Sequence, residues 1–255
     1  MTDERQPEAD QAASGEGHVD AILTGAESDG PHGTLQPIPR VPLDRGEREV
    51  KDSVLRMGSL VEEQIRAAID ALVTHDAEKA TTVIAGDGRI NEAQRHISSL
   101  IATTIATQAP VARDLRFLLA LDHVSYELER IGDHASSVAK QARMLAPQPP
   151  LKRYVDLPQM GNLGAQLVRE ILRALVDVDD AEARRVAAGD DEIDRLYHRT
   201  FDEVIRLMRQ SPANVERGTR IILAAHYLER IGDRVTNIAE DIVFLVTGEV
   251  EDLNP

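Results

Sequence analysis

The chain has 255 residues, of which 42% are hydrophobic, and it carries no cysteine and a formal net charge of −15. That length can bury a sizeable core as one large domain or two small ones, and the missing cysteines exclude disulfides, thiolate zinc sites, iron–sulfur clusters and cysteine nucleophiles. The charge argues against a nucleic-acid partner, because a phosphate backbone is held by clustered Lys and Arg, and the sequence has no basic stripe.

The first 47 residues place ten Asp and Glu against three Arg, beside five prolines. Such a stretch buries too little to offset its ordering entropy, so residues 1–42 are expected to be a disordered acidic tail. Its start, "MTDERQPEAD", lacks the basic-then-apolar order of a signal peptide. No apolar run approaches the ~18 residues a membrane span needs. The protein is therefore expected to be soluble, and the absence of cysteine fits a cytosolic address.

From about Arg48 apolar residues recur three and four apart, with Ala, Leu, Glu and Arg between them, the pattern of amphipathic helices. A first helix is predicted near Glu49 to Thr74, and a second, capped by Asp76, through about Thr107. Pro110 opens a third, running to about Leu145. The stretch "APQPPLKRYVDLP" then breaks the pattern with four prolines and reads as a linker. Beyond it a helix is predicted over Leu163 to Val178, another with Asp180 as its cap to about Arg209, and a last one after Ser211-Pro212 to about Val246.

The second series repeats the first. "DAE" follows the first helix of each half, "AGDGRIN" (85–91) answers "AGDDEID" (188–194), and "LERIGD" occurs at Leu128 to Asp133 and again at Leu228 to Asp233. Three landmarks in one order mark an internal repeat. Helices joined by short loops pack antiparallel, so the expected fold is all-α, two tandem antiparallel three-helix bundles over 43–146 and 161–255 with 147–160 between them.

On a helix, Glu129 and Asp133 lie four apart and share a face, separated by roughly 6 Å of rise. The same holds for Glu229 with Asp233 and for Asp190 with Asp194, and the first half offers Asp87 with Asn91. If the second and third helices of a half are neighbours, both pairs face one groove. Hard oxygen donors without cysteine favour Mg, Mn, Ca or iron over structural zinc. Like charges four apart and an interior glycine both destabilise a helix, by ~0.5 and ~1 kcal/mol respectively. Accepting both costs twice calls for a reason. Gly132 and Gly232 either admit a neighbouring helix or leave room for an ion. Arg130 and Arg230 are expected to pair with acidic neighbours or another helix, with anion binding as the alternative. His134 is a possible ligand, although its counterpart is Arg234, while His123 and His226 lie among apolar residues and are expected to be packed.

Two three-helix repeats, each with "LERIGD" followed by A-x-x-[SN]-[VI]-A, resemble the PhoU family of phosphate-signalling proteins. So do "QAPVARDLRFLLALDHVSYELERIGDHASSVA" and "MGSLVEEQIRAAIDALVTHD", and the likeness runs from about Leu43 to Gly248. The approach to the second copy, "SPANVERGTRIILAAHY", lacks the Pro-Val-Ala and Asp-Leu-Arg elements. The resemblance implies a cytoplasmic, non-enzymatic negative regulator of phosphate uptake and of the phosphate-starvation response. It would act as a homodimer between a phosphate ABC transporter and a sensor histidine kinase, peripheral to the membrane through those partners. It further implies metal ions, divalent or trivalent (iron, Mg, Mn or Zn), held by Glu129, Asp133, Asp87 and Asn91 in one half. In the other half the ligands would be Glu229, Asp233, Asp190 and Asp194, and Asn91 in place of an acid weakens the first set. Two competitors are a carboxylate-bridged helical metalloenzyme and a metal-free helical scaffold. The enzyme lacks its usual signs, since no Glu-x-x-His, H-E-x-x-H, phosphate loop or G-x-S-x-G occurs.

Overall fold

Apolar residues spaced three and four apart close into helices that bury one face. The computed structural model describes residues 41–254, and no strand occurs among them. Seven α-helices follow in order: α1 (Val41–Thr74), α2 (Ala77–Gln108), α3 (Ala112–Leu145), α4 (Asp156–Asp177), α5 (Asp180–Ala187), α6 (Asp190–Gln210) and α7 (Val215–Thr247), with a 3-10 turn at Pro212–Asn214. The proposed tail, 1–42, lies outside the described residues except for its last two, which belong to α1.

Local chemistry sets the helix ends. Asp76 is extended and its carboxylate accepts from the Lys79 N–H at 2.8 Å, as its cap position requires. The expected cap Asp180 gives way to Asp179, which has the extended backbone and accepts from the Glu182 N–H at 3.0 Å. Asp180 sits one residue inside α5 and pairs with Arg184 at 2.5 Å. Helix α4 begins at Asp156, seven residues before the predicted start, because Pro158 falls in the first turn, where a missing N–H costs nothing. Arg199 of α6 anchors that turn with two hydrogen bonds to Asp156, at 2.6 and 3.0 Å.

The helix predicted from 180 to about 209 is in fact two, broken at Ala188 and Gly189. A side chain on Gly189 would meet Leu167 of α4 at 2.7 Å, so the glycine is pressed onto α4 and α6 sets off from there. Its counterpart Gly86 has nothing within 4 Å, and α2 runs on unbroken.

Helices α1, α3, α7 and α4 form a ring of neighbours, with α2 outside against α1 and α3, and α5 and α6 outside against α4 and α7. Met57, Ile65, Leu128, Ile131, Met160 and Ile171 are fully buried between them. Helices α3 and α7 run antiparallel, since His123 meets Asp241 near one end of the contact and His134 stacks near Tyr227 toward the other. The α1–α4 crossing carries the repeat symmetry in its packing. A shift of 103 residues maps Gly58 onto Gly161 and Ile69 onto Leu172. A methyl group on Gly58 would overlap Leu172, and one on Gly161 would overlap Ile69.

Val178 ends α4 in the left-handed region, with φ 52 and ψ 46. A β-branched residue is strained there, and glycine is not. Val178→Gly is expected to stabilise the fold by ~1 kcal/mol, a rise of roughly 2–4 °C in melting temperature by calorimetry. A fall would show that the packing of the Val178 side chain outweighs the strain.

Candidate metal centres

In the second half, Asp190 opens α6 with Asp194 one turn on, and Glu229 and Asp233 come from α7. Asp190 is only 4% exposed, and neither of its carboxylate oxygens has a hydrogen-bond partner. A methyl group on Gly232 would overlap the Asp190 Oδ1 atom and lie 2.8 Å from its Cγ. The glycine thus holds a place for a carboxylate. Burial, and then repulsion from Asp194, Asp233 and Glu229, pushes the Asp190 carboxyl up to about 7. Burial, followed by Asp233 and Asp194, also pushes Glu229 up to about 7. Asp194 is raised by burial and by Asp233. The Glu229 Oε2 atom is buried without a hydrogen bond, and His226 Nδ1 lies 3.2 Å from the carboxylate.

The first half is built on the same register, with Asp87 and Asn91 one turn apart on α2 and Glu129 and Asp133 one turn apart on α3. Here the site has a resident donor. The Gln64 side-chain amide, on α1 and 7% exposed, donates to Asp87 Oδ1 and to the Gly132 carbonyl, both at 3.1 Å. Glu129 is raised by burial and then by Asp133 and Asp87, against the pull of Arg130, and Asp133 is raised by burial and Asp87. The Asn91 Oδ1 atom is buried without a partner. A methyl group on Gly132 would stand 3.0 Å from Ile90 Cδ1, so this glycine admits helix α2. The two copies of the motif use glycine differently.

In the second half Asp190, Asp194, Glu229 and Asp233 thus lie near enough to repel one another, and in the first half so do Asp87, Glu129 and Asp133, with Asn91 one turn along α2 from Asp87. Their donors are oxygens throughout, which suits a hard cation. Among the described residues, however, no three His, Asp or Glu side chains stand around one common ion position.

The model of the PhoU domain matches residues 54–142 and 157–242, a span that includes both clusters. The chain belongs to the PhoU family. A PhoU homologue of Clostridium acetobutylicum, named as a phosphate-specific transport system accessory protein, is 35% identical over 207 residues, which cover 81% of this chain and 94% of that one. The crystal structure of PhoU from Pseudomonas aeruginosa superposes with a TM-score of 0.77 at 35% identity, covering 81% of this chain and all of the other. That of the phosphate transport system regulatory protein PhoU from Streptococcus pneumoniae gives 0.76 at 33% identity, covering 82% of this chain and 99% of the other.

Within the two PhoU repeats the arginines pair locally. Arg130 reaches Glu129 at 3.4 Å and Asp133 at 3.2 Å and lies over the Tyr126 ring, while Arg230 pairs with Asp233 at 2.9 Å. His134 stacks near Tyr227, and burial with Arg234, Arg230, His226 and Arg130 around it holds the imidazole down to about 4. It is neutral at pH 7. His123 and His226 are not packed as expected. Their side chains are 50% and 46% exposed, and His123 Nδ1 lies 2.6 Å from Asp241 Oδ2. Apolar sequence neighbours misled here, because on a helix they point away from the residue they flank. No sequence pattern marks Glu127, 3% exposed, which ties the repeats together by accepting from Arg234 and Asn237 of α7, each at 3.3 Å.

Proposed function

We propose that the chain is a negative regulator of phosphate uptake and of the phosphate-starvation response. It works without catalysis as an accessory of a phosphate ABC transporter, coupling it as a homodimer to a sensor histidine kinase at the cytoplasmic face of the membrane. The names of its relatives support the transport role, several being phosphate-specific transport system accessory proteins. No helix among the described residues is long and apolar enough to cross a membrane. Its place at the membrane then runs through those partner proteins.

In this reading the carboxylate clusters are ion sites, and the second repeat carries the argument. A buried Asp190 with both oxygens unpartnered, seated where only a glycine at 232 allows it, is costly unless a cation offsets its charge. Oxygen donors suit a divalent or trivalent ion such as iron, Mg, Mn or Zn, with water completing a shell that the protein carboxylates fill only in part. A metal-free scaffold is the second reading. It is favoured by the lack of three side chains around one position, and in it Asp190 and Glu229 would share protons instead of an ion. The test of the regulator is genetic. In a strain lacking this chain, the wild-type chain should restore repression of phosphate uptake in phosphate-rich medium. The double variant Glu229→Gln with Asp233→Asn, at equal abundance, should not. Full repression by that variant would separate the ion cluster from regulation.

A further inference from the structure

We infer that the two repeats are unequal cation sites, because in the first the Gln64 amide occupies the place that an ion takes in the second. This rests on the cation reading above and concerns which repeat is open to an ion. The shift of 103 residues that maps Asp87 onto Asp190 and Asn91 onto Asp194 maps Gln64 onto Leu167. In the first repeat the amide NH2 of Gln64 bridges the Asp87 carboxylate and the Gly132 carbonyl at 3.1 Å each. Two N–H donors aimed at two oxygens do, without a charge, what a hard cation does between the same atoms. In the second repeat Leu167 is 5% exposed and packed against Gly189, the residue before Asp190. It offers no donor, and both Asp190 oxygens are left without a partner.

The acids reinforce the difference. The second cluster holds four carboxylates, whereas Asn91 leaves the first with three. An ion entering the first repeat must displace a buried, doubly bonded amide for a smaller electrostatic return. One entering the second finds both Asp190 oxygens without a partner and no amide between them, although Arg230 stands 2.9 Å from Asp233.

The test uses the full chain and Mn2+ alone, with bound metal measured after gel filtration and folding checked by circular dichroism. Wild-type protein is expected to retain Mn2+, and Glu229→Gln with Asp233→Asn to lose all of it. Gln64→Leu with Asn91→Asp should open the first repeat and about double the metal per chain. The reciprocal change Leu167→Gln leaves every ligand residue unchanged, yet should weaken Mn2+ binding by about tenfold or more, the scale on which neighbours of metal ligands alter affinity. Half the metal remaining after Glu229→Gln with Asp233→Asn would make the repeats equal and overturn the inference. So would a folded Gln64→Leu, Asn91→Asp protein with no added metal, or Leu167→Gln binding like wild type. No Mn2+ in either the wild type or the opened variant would instead remove the cation reading beneath it.

Discussion

Asp190→Asn is expected to raise the melting temperature of the EDTA-treated protein at pH 8 by roughly 5 °C, on the order of a few kcal/mol. The Asp190 carboxyl titrates near 7 in the folded chain, against an ordinary value of 3.8. A carboxyl raised in this way contributes stability that is fully present below about pH 4 and is lost as pH rises through about 7. Above pH 7 the ion-free protein carries a buried charge with no partner. Asparagine keeps the size and removes the charge, so the gain should vanish at pH 4 and grow toward pH 8. Glu229, also pushed up to about 7, leaves part of the pH dependence in the variant. Melting curves from pH 4 to 8 in EDTA decide the matter, and a variant less stable than wild type at pH 8 would mean that Asp190 has a stabilising partner.

The two motif glycines should respond very differently to alanine. Gly232→Ala puts a methyl group onto the Asp190 carboxylate, and a buried clash of that kind costs ~1–3 kcal/mol even after the side chain turns away. Gly132→Ala meets Ile90 at 3.0 Å, which needs a shift of a few tenths of an ångström. The ~1 kcal/mol helix preference of alanine over glycine offsets much of that. Denaturant unfolding should therefore show Gly132→Ala near neutral and Gly232→Ala clearly destabilised. Equal losses would show that both glycines serve only helix packing.

Much of this architecture was readable from residue spacing. Apolar positions three and four apart located the helices, and three recurring landmarks gave the repeat, because these signals lie within single helices. What escaped depends on packing between helices. Gln64 is an ordinary polar residue 23 positions before Asp87, and only the docking of α1 on α2 makes it a partner. The break at Gly189 follows from Leu167 pressing on it from α4, which no local pattern records. The sequence left open whether the glycines in "LERIGD" admit a neighbouring helix or leave room for an ion. Neighbouring side chains show what each lies against, Ile90 of α2 for Gly132 and the Asp190 carboxylate of α6 for Gly232.

Whether the second repeat holds a cation is tested most directly by melting the wild type and the Glu229→Gln, Asp233→Asn variant at pH 8, each in EDTA and in excess Mn2+. An ion that binds only the folded state stabilises it by mass action, ~2.7 kcal/mol at a hundredfold excess over Kd. Mn2+ should thus raise the wild-type melting temperature by about 5 °C or more and leave the variant unmoved. In EDTA the variant should melt no lower than wild type, because it has lost two repelling charges. A wild-type melting temperature indifferent to Mn2+, together with a variant that melts lower, would contradict the account and return the carboxylates to structural ion pairing.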